Sequence, residues 1–519
     1  MKIFMRVSIV VVIIAVIAAM FLFVFSNRGT EKIEKTEPVL SQSRPVVFAL
    51  PGNPDTLDPH ATSGTLTFQV IKSFYDTLAE VDAKGNIVPA LAESWTITPD
   101  GKTWTFNLRP NVYFHNGDPF KAEDVKATFE RILSPATASP KAADFGPITD
   151  INTPDDATVV FVFSAPFAPF LASVASGWGA ILPASLIKAG HNFASQPVGT
   201  GPYTLIEWIR DSRIAMKKFD RYWMAGLPKV ENVSFNIILE PSVAVQGLLS
   251  KQIDYVYGVS TDDIPQLEAS SHITLEKSQG STVLVMSMNT SAPGLDDLRL
   301  RQAVNMAIDK QMVLDVIYGG GIPTATFIDA ANAYYKDFTS LYPYDPEKAS
   351  SLVAQVGAAA QREFLMVLPQ NYETHVRAGQ VYADMLAKVG IKTRIQMVDW
   401  STWLSDVFNA QTGGKFDFTV IGHTGKLDPD GALGGYGDPA RYVRWTNPEC
   451  LSLVNQAKIV TDPVERKKLY DRVLELMARE VPFMYLGTAY GTNACQNDIT
   501  GVIQTPKLDS FDFRWMEFK

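Results

Sequence analysis

The sequence predicts an α/β protein with a β-rich segment set into its first half. Three observations carry this. Strands and helices alternate from about residue 281 onward. Residues ~85 to ~195 are dense in hairpin turns and aromatic side chains. No repeat of 20–50 residues and no low-complexity tract breaks either pattern. The chain has 519 residues, enough for two to four domain-sized units and a large core. Hydrophobic residues at 46% and charged residues at 19% are ordinary for a folded globular protein. A net charge of −9 with no basic stripe excludes nucleic acid as the partner.

Lys2 and Arg6 precede Val7–Phe25, an uncharged run interrupted only by Ser8. At about 1.5 Å per residue it is long enough to cross a bilayer core of ~30 Å. Phe21-Leu22-Phe23-Val24-Phe25 offers no small-x-small cleavage site at its end. Residues 1–26 therefore read as an uncleaved signal anchor, with cleavage near Ala18-Ala19 as the alternative. Residues 27–45 are charged, polar and aperiodic, as a tether is. This places the body outside the cytoplasm, in the periplasm or on the outer face of the membrane, held there by residues 7–25.

Pro45–Leu50 reads as a short strand. Ser94–Thr98 and Thr103–Leu108 alternate polar and apolar residues around the turn Pro99-Asp100-Gly101. Asn116-Gly117 and Pro154-Asp155-Asp156 mark further turns. Asp124–Ile132 is a helix with Val125, Phe129 and Ile132 on one face. Ile214–Phe219 and Val233–Ile238 read as strands, and Pro241–Lys251 as a helix. Then come strand Val283–Met288, helix Arg299–Tyr318, strand Glu363–Leu368, helix Thr374–Val389, strand Lys392–Val398, helix Ser401–Ala410 and strand Phe416–Gly422. That rhythm implies a mainly parallel sheet covered by helices. Pro463–Glu480 is a further amphipathic helix. Cys450 and Cys495 can form a bridge or stand as two small buried side chains.

Motifs for chemistry are missing. There is no Gly-x-Ser-x-Gly elbow, no Walker loop and no His-Glu-x-x-His. The six histidines include no i,i+4 pair, and no Cys-x-x-Cys occurs. Gly319-Gly320-Gly321 and Gly434-Gly435-Tyr436-Gly437 do not open helices after strands, so they do not cradle phosphate. The reading is of a protein that is no enzyme and needs no cofactor or metal.

The block Leu91–Ile132, LAESWTITPDGKTWTFNLRPNVYFHNGDPFKAEDVKATFERI, closely resembles the marker region of family 5 solute-binding proteins, the receptors of ABC importers for peptides, nickel complexes, opines and some oligosaccharides. Asn53-Pro54-Asp55-Thr56-Leu57-Asp58-Pro59-His60, the helix Ser73–Leu78, Pro197-Val198-Gly199-Thr200-Gly201-Pro202-Tyr203, Phe219–Trp223 and Leu300–Lys310 match in order, so the resemblance covers most of the chain after residue ~45. One departure is Lys121, where the family has a Ser or Thr helix cap; Asp118 or the turn backbone would cap instead.

The resemblance implies a periplasmic-binding-protein-like α/β fold (type II, cluster C) of two lobes joined by a hinge. Residues 46–280 would form the first lobe, including the inserted subdomain ~85–195. Residues 281–492 would form the second, and 493–519 would return to the first. The chain would then cross near residues 280 and 492. A monomer would close over a small-molecule or short-oligomer ligand and present it to ABC permease subunits. The alternative is a membrane-tethered extracellular receptor or chaperone that uses the same fold without transport.

Ligands of open α/β sheets bind beyond the carboxyl ends of strands. Here that region includes Gly422-His423-Thr424-Gly425-Lys426-Leu427-Asp428-Pro429-Asp430. Peptide-binding relatives place an ammonium-binding aspartate just after the equivalent of Gly425; this chain has Lys426. Dipeptide binders also place a carboxylate-binding arginine before the helix near Thr374, where this chain reads Pro369-Gln370-Asn371-Tyr372. Both charges of the dipeptide clamp are missing or reversed, which disfavours a free dipeptide. By family position Trp400 meets the ligand. Lys426, His423, Asp428, Asn371, Tyr372, Trp403 and Tyr436 complete the candidate set, with Trp403 weighed more heavily as core. Flat aromatic faces would suit sugars, and Lys426 would suit a carboxylate or phosphate, as in opine-type ligands. The block Leu91–Ile132 would carry little ligand chemistry.

Overall fold

The structure is a computed structural model, and it describes residues 44–330, 332–409, 411–505 and 510–519. The proposed anchor and nearly all of the tether lie outside them. Among the described residues no helix is long and apolar enough to cross a membrane.

Residues 45–519 form one compact unit. Its main sheet runs Lys392–Val398, Glu363–Pro369, Phe418–His423, Ile273–Met288, Phe483–Gln496, Tyr255–Val256, Val46–Leu50, Asn232–Ile237, Arg213–Lys218, Tyr203–Ile209. Parallel pairs occur on both sides: Glu363–Pro369 with Lys392–Val398, and Val46–Leu50 with Asn232–Ile237. The middle is antiparallel, because the two longest strands, Ile273–Met288 and Phe483–Gln496, run against each other and carry the sheet from one α/β half to the other. The sheet is therefore mixed rather than mainly parallel. The register of the long pair breaks between Gln279 and Val283. At that break Gly280 approaches the Ala489 carbonyl so closely that a Cβ would lie 2.7 Å from its oxygen.

The strand Glu363–Pro369 shows why the α/β half is layered. Phe364, Met366 and Leu368 pack into one apolar cluster with Leu300, Val304, Tyr382 and Leu386, and Val367 packs into a second with Trp403, Tyr470 and Leu474. Alternate residues serve opposite faces, so a strand covered on both sides reads as a continuous apolar run. The helix Pro463–Glu480 has the bounds the sequence predicts; Asp462 caps it by accepting from Val464 N and Glu465 N. The predicted helix 299–318 is two, Leu298–Ala307 and Lys310–Tyr318. Asp309 restarts the second by accepting from Met312 N at 3.0 Å. The predicted helix 401–410 is a single α-turn, Trp400–Trp403, continued by a π-turn over Leu404–Phe408. The residues read as helix Ser73–Leu78 are not helical; the helix there is Thr65–Ile71.

Residues 92–163 build a separate antiparallel sheet, ordered Ala92–Ile97, Thr103–Leu108, Thr158–Phe163, Ile148–Asp155. Gly101 and Gly117 take left-handed φ of 68° and 91° in two of the three predicted turns. Helix Ala122–Leu133 covers this sheet through Val125, Phe129 and Ile132, with Phe129 edge-on to Phe161 at 4.8 Å. Its N-terminus is held by neither of the groups expected to replace the missing Ser or Thr. Asp124 accepts from Lys121 N at 2.8 Å and from Ala184 N at 2.7 Å. Asp118 instead accepts from Asn116 and Ser185. Burial outweighs those amide bonds and pushes Asp124 up to about 6. A folded pKa above the unfolded value of ~3.9 contributes stability that is full below that value and lost as pH rises through about 6. Asp124→Asn should remove this component, so the variant's melting temperature should fall less than the wild type's between pH 4 and pH 7.

Cys450 and Cys495 are free and buried, in different apolar clusters.

Candidate functional site

Strand Phe418–His423 ends in the loop that carries Gly425 and Lys426. This loop faces residues 68–81, the turn Ala142–Phe145 and residues 167–180 across a cavity of about 350 Å³. That volume suits a small solute. Phe68, Phe145, Phe167 and Trp178 supply its apolar wall. Trp178 is fixed edge-on to Phe68 at 4.6 Å and donates its indole N–H to Thr62 O at 2.8 Å.

The acidic residues of the wall already have partners. Asp76 accepts from Thr200 Oγ1 and Trp223 Nε1, both at 3.0 Å, and from Tyr222 Oη at 3.3 Å. Burial nevertheless pushes its carboxyl above the usual range, against the pull of Arg514 and these bonds. Glu80 accepts from Arg514 Nη2 at 2.9 Å. Asp430 pairs with Lys458 at 3.5 Å. Asp428 takes both ends of the Arg466 guanidinium, at 2.5 and 2.7 Å, and caps helix Pro429–Leu433 by accepting from Asp430 N.

Lys426 differs from all of these. Its ammonium group makes no ion pair and no hydrogen bond among the described residues. The stem passes over Gly431, where a Cβ would sit 3.1 Å from Lys426 Cγ, and the head stays exposed toward the cavity. Partial burial, then the nearby Lys141, hold its pKa below the usual lysine value, and Asp144 opposes them.

Of the eight residues nominated from the sequence, Lys426 and Asp428 line this cavity. His423 closes the strand before the loop and shares a 2.8 Å hydrogen bond with Tyr442 Oη; burial and the charges of Arg441 and Lys426 push its pKa down to about 4. Tyr436 is buried and stacked on Phe327. Trp403 is buried in the core, its indole N–H donated to Thr419 Oγ1 at 2.9 Å. Trp400 stacks on Trp403 at 4.9 Å and remains 37% exposed, with Tyr372 edge-on at 5.5 Å and exposed Asn371 beside it. These three sit together at the carboxyl ends of two neighbouring parallel strands, outside the cavity.

No residue of the block Leu91–Ile132 lines the cavity, but the next stretch of the same subdomain does, through Lys141 and residues 167–178. Reading the sequence missed Lys141, Phe68, Asp76 and Trp178. Asp76 stood inside a recognised motif, Ser73–Leu78; the others carried no local signal. Among the described residues no group of three or more His, Cys, Asp or Glu converges as a metal site.

The model of the bacterial extracellular solute-binding proteins, family 5, matches residues 86–442. The glutathione-binding protein GsiB of Pectobacterium atrosepticum is 27% identical over 487 residues, covering 91% of this chain and 94% of the relative. The di/tripeptide-binding protein 1 of Pseudomonas aeruginosa is 30% identical over 474 residues, covering 84% and 87%. Among solved structures, AgaA of A.tumefacien R10, in complex with agropinic acid, superposes with a TM-score of 0.72 at 26% identity, over 92% of this chain and 99% of that one. A match that runs through most of the folded body shows that the chain belongs to the family 5 bacterial extracellular solute-binding proteins, which are ligand receptors of ABC importers and not enzymes.

Proposed function

We propose that this chain is the importer receptor for a peptide-like or opine-like solute of net negative charge, whose acid group meets Lys426. The observation that carries the reading is the ammonium group at the cavity, unpaired among the described residues, where every lining carboxylate named above already has a partner. A ligand ammonium would meet like charge there. A carboxylate would gain a charge-assisted hydrogen bond. Glutathione and agropinic acid, named for two of the similar proteins, are both acids of this size class. Closure would pivot where the long strands lose register, between Gln279 and Val283 on one and near Thr488–Tyr490 on the other, with residues 46–280 and 281–492 as the moving lobes.

The test is a thermal-shift and calorimetry panel of glutathione, agropinic acid, dipeptides with free termini, and cello-oligosaccharides. An acidic member should raise the melting temperature by mass action. Lys426→Met should weaken that binding by about 10- to 100-fold, the loss of one hydrogen bond to a charged group. Strongest stabilisation by a dipeptide or a neutral sugar, unchanged in Lys426→Met, would overturn the reading.

A further inference from the structure

Lys141 and Lys426 belong to segments far apart in the chain, yet both line the same cavity. Lys426 follows strand Phe418–His423, and Lys141 precedes the turn Ala142–Phe145 of the inserted subdomain. The charged groups that act on Lys426 are Lys141 and, with opposite sign, Asp144. Lys141 is held over the Trp178 ring at 5.0 Å and reaches Asp144 at 3.4 Å. That Asp144 side chain is 56% exposed, and an exposed pair of this kind binds its partner weakly. Two ammonium groups therefore face one loosely held carboxylate, which leaves a net positive charge at this corner of the cavity. The inserted subdomain and the second half of the chain also touch nearby: Ala168 N donates to Lys458 O at 3.0 Å, and Lys458 Nζ lies 5.6 Å from the Phe167 ring centroid.

We infer that Lys141 is the second cation of the ligand site, and that a ligand acid group bridges Lys141 and Lys426, so that an anion favours the closed arrangement of these two segments. This rests on the anionic-solute reading and adds to it a specificity residue and a condition for closure. Like charges brought together across a partly desolvated gap repel. An acid placed between them converts that repulsion into two charge-assisted bonds. A neutral or cationic solute of the same shape would fill the cavity and leave the repulsion in place, so the pair selects for charge through the closing step itself.

The full chain is compared with Lys141→Met, Lys141→Arg and Lys141→Glu, using glutathione as the probe in calorimetry and small-angle scattering for closure. Lys141→Met should weaken glutathione binding about 10-fold with an unchanged melting temperature in the absence of ligand. Lys141→Arg should restore most of it. Lys141→Glu should abolish binding and, by pairing with Lys426, give a smaller radius of gyration than the wild type with no ligand present. Equal glutathione affinity in Lys141→Met and wild type, with Lys426→Met impaired, would overturn this inference and leave the anionic-solute reading standing. Insensitivity of glutathione binding to both lysines would overturn both. An unliganded Lys141→Glu protein with the wild-type radius of gyration would overturn the inference whether or not glutathione binds.

Discussion

Arg466→Met is expected to destabilise the protein by about 3–5 kcal/mol and to weaken ligand binding as well. The Arg466 side chain is only 5% exposed. Its guanidinium spends its donors on Asp428 at two points, on Ala457 O at 2.8 Å through Nε, and on the hydroxyls of Tyr334 and Tyr470 at 3.3 Å. Methionine fills part of the volume and supplies none of these donors. It leaves the Asp428 carboxylate half-buried and unpaired, and removing one partner of a buried pair costs far more than replacing both. The double variant Arg466→Met with Asp428→Asn should therefore recover a large part of the loss in guanidinium denaturation. The effect on binding follows from chain geometry. Asp428 caps helix Pro429–Leu433, Gly431 of that helix supports the Lys426 stem, and Lys426 is two residues before Asp428. An anchor lost at Arg466 releases the segment that points the ammonium group into the cavity. An equally stable Arg466→Met protein would show that the pair is worth no more than an exposed one.

The site was legible in the sequence as a substitution and illegible as a place. Lys426 stands out because the resemblance to peptide-binding relatives implies an aspartate there, and Asp428 because it follows two residues later. The opposite wall could not be read. Phe68, Lys141 and Trp178 are unremarkable in their own neighbourhoods, and only the packing of three distant segments makes them one surface. Trp403, weighed toward the core from its spacing, is buried there, and Tyr436 is buried as well; both sit among other rings, because a large side chain next to a core is drawn into it by the area it removes from water. The same contrast holds for the fold. Helix Pro463–Glu480 carries its own start signal in Asp462 and Pro463, so local sequence specified it. Strand Ile273–Met288 was read only from Val283. The apolar alternation of its first part, Ile273 and Leu275, stops at Glu276, Lys277, Ser278 and Gln279, and this part is a strand because Tyr490–Gln496 pairs with it from far along the chain. The cap of helix Ala122–Leu133 falls between these cases. Asp124 was in view at the third helical position, but the second amide it satisfies, that of Ala184, lies 60 residues away.

Gly201→Val should destabilise the protein by about 3 kcal/mol or more, the upper range for overpacking, because the clash is with backbone rather than with a side chain that can swing aside. Gly201 N donates to Phe74 O and Tyr203 N to Ser73 O, both at 3.0 Å, so the loop Pro197–Tyr203 runs directly against residues 73–75. A Cβ at 201 would lie 2.6 Å from Tyr75 N and closer still to the Phe74 carbonyl carbon. The two segments must separate to admit it, breaking those amide bonds and the Thr200–Asp76 hydrogen bond that fixes one wall of the cavity. Gly190→Ala is the control. Its φ of +68° imposes strain on any side chain, but nothing lies within 4 Å of the added carbon, so it should cost only about 1–2 kcal/mol and leave ligand affinity unchanged. Urea denaturation of the two variants separates the contributions. If Gly201→Val lost no more stability than Gly190→Ala, the close approach of the loop to residues 73–75 would not be what requires glycine at 201. A larger loss, together with weakened binding, would place it there because only a backbone without a side chain lets the loop reach close enough to set Asp76 at the edge of the cavity.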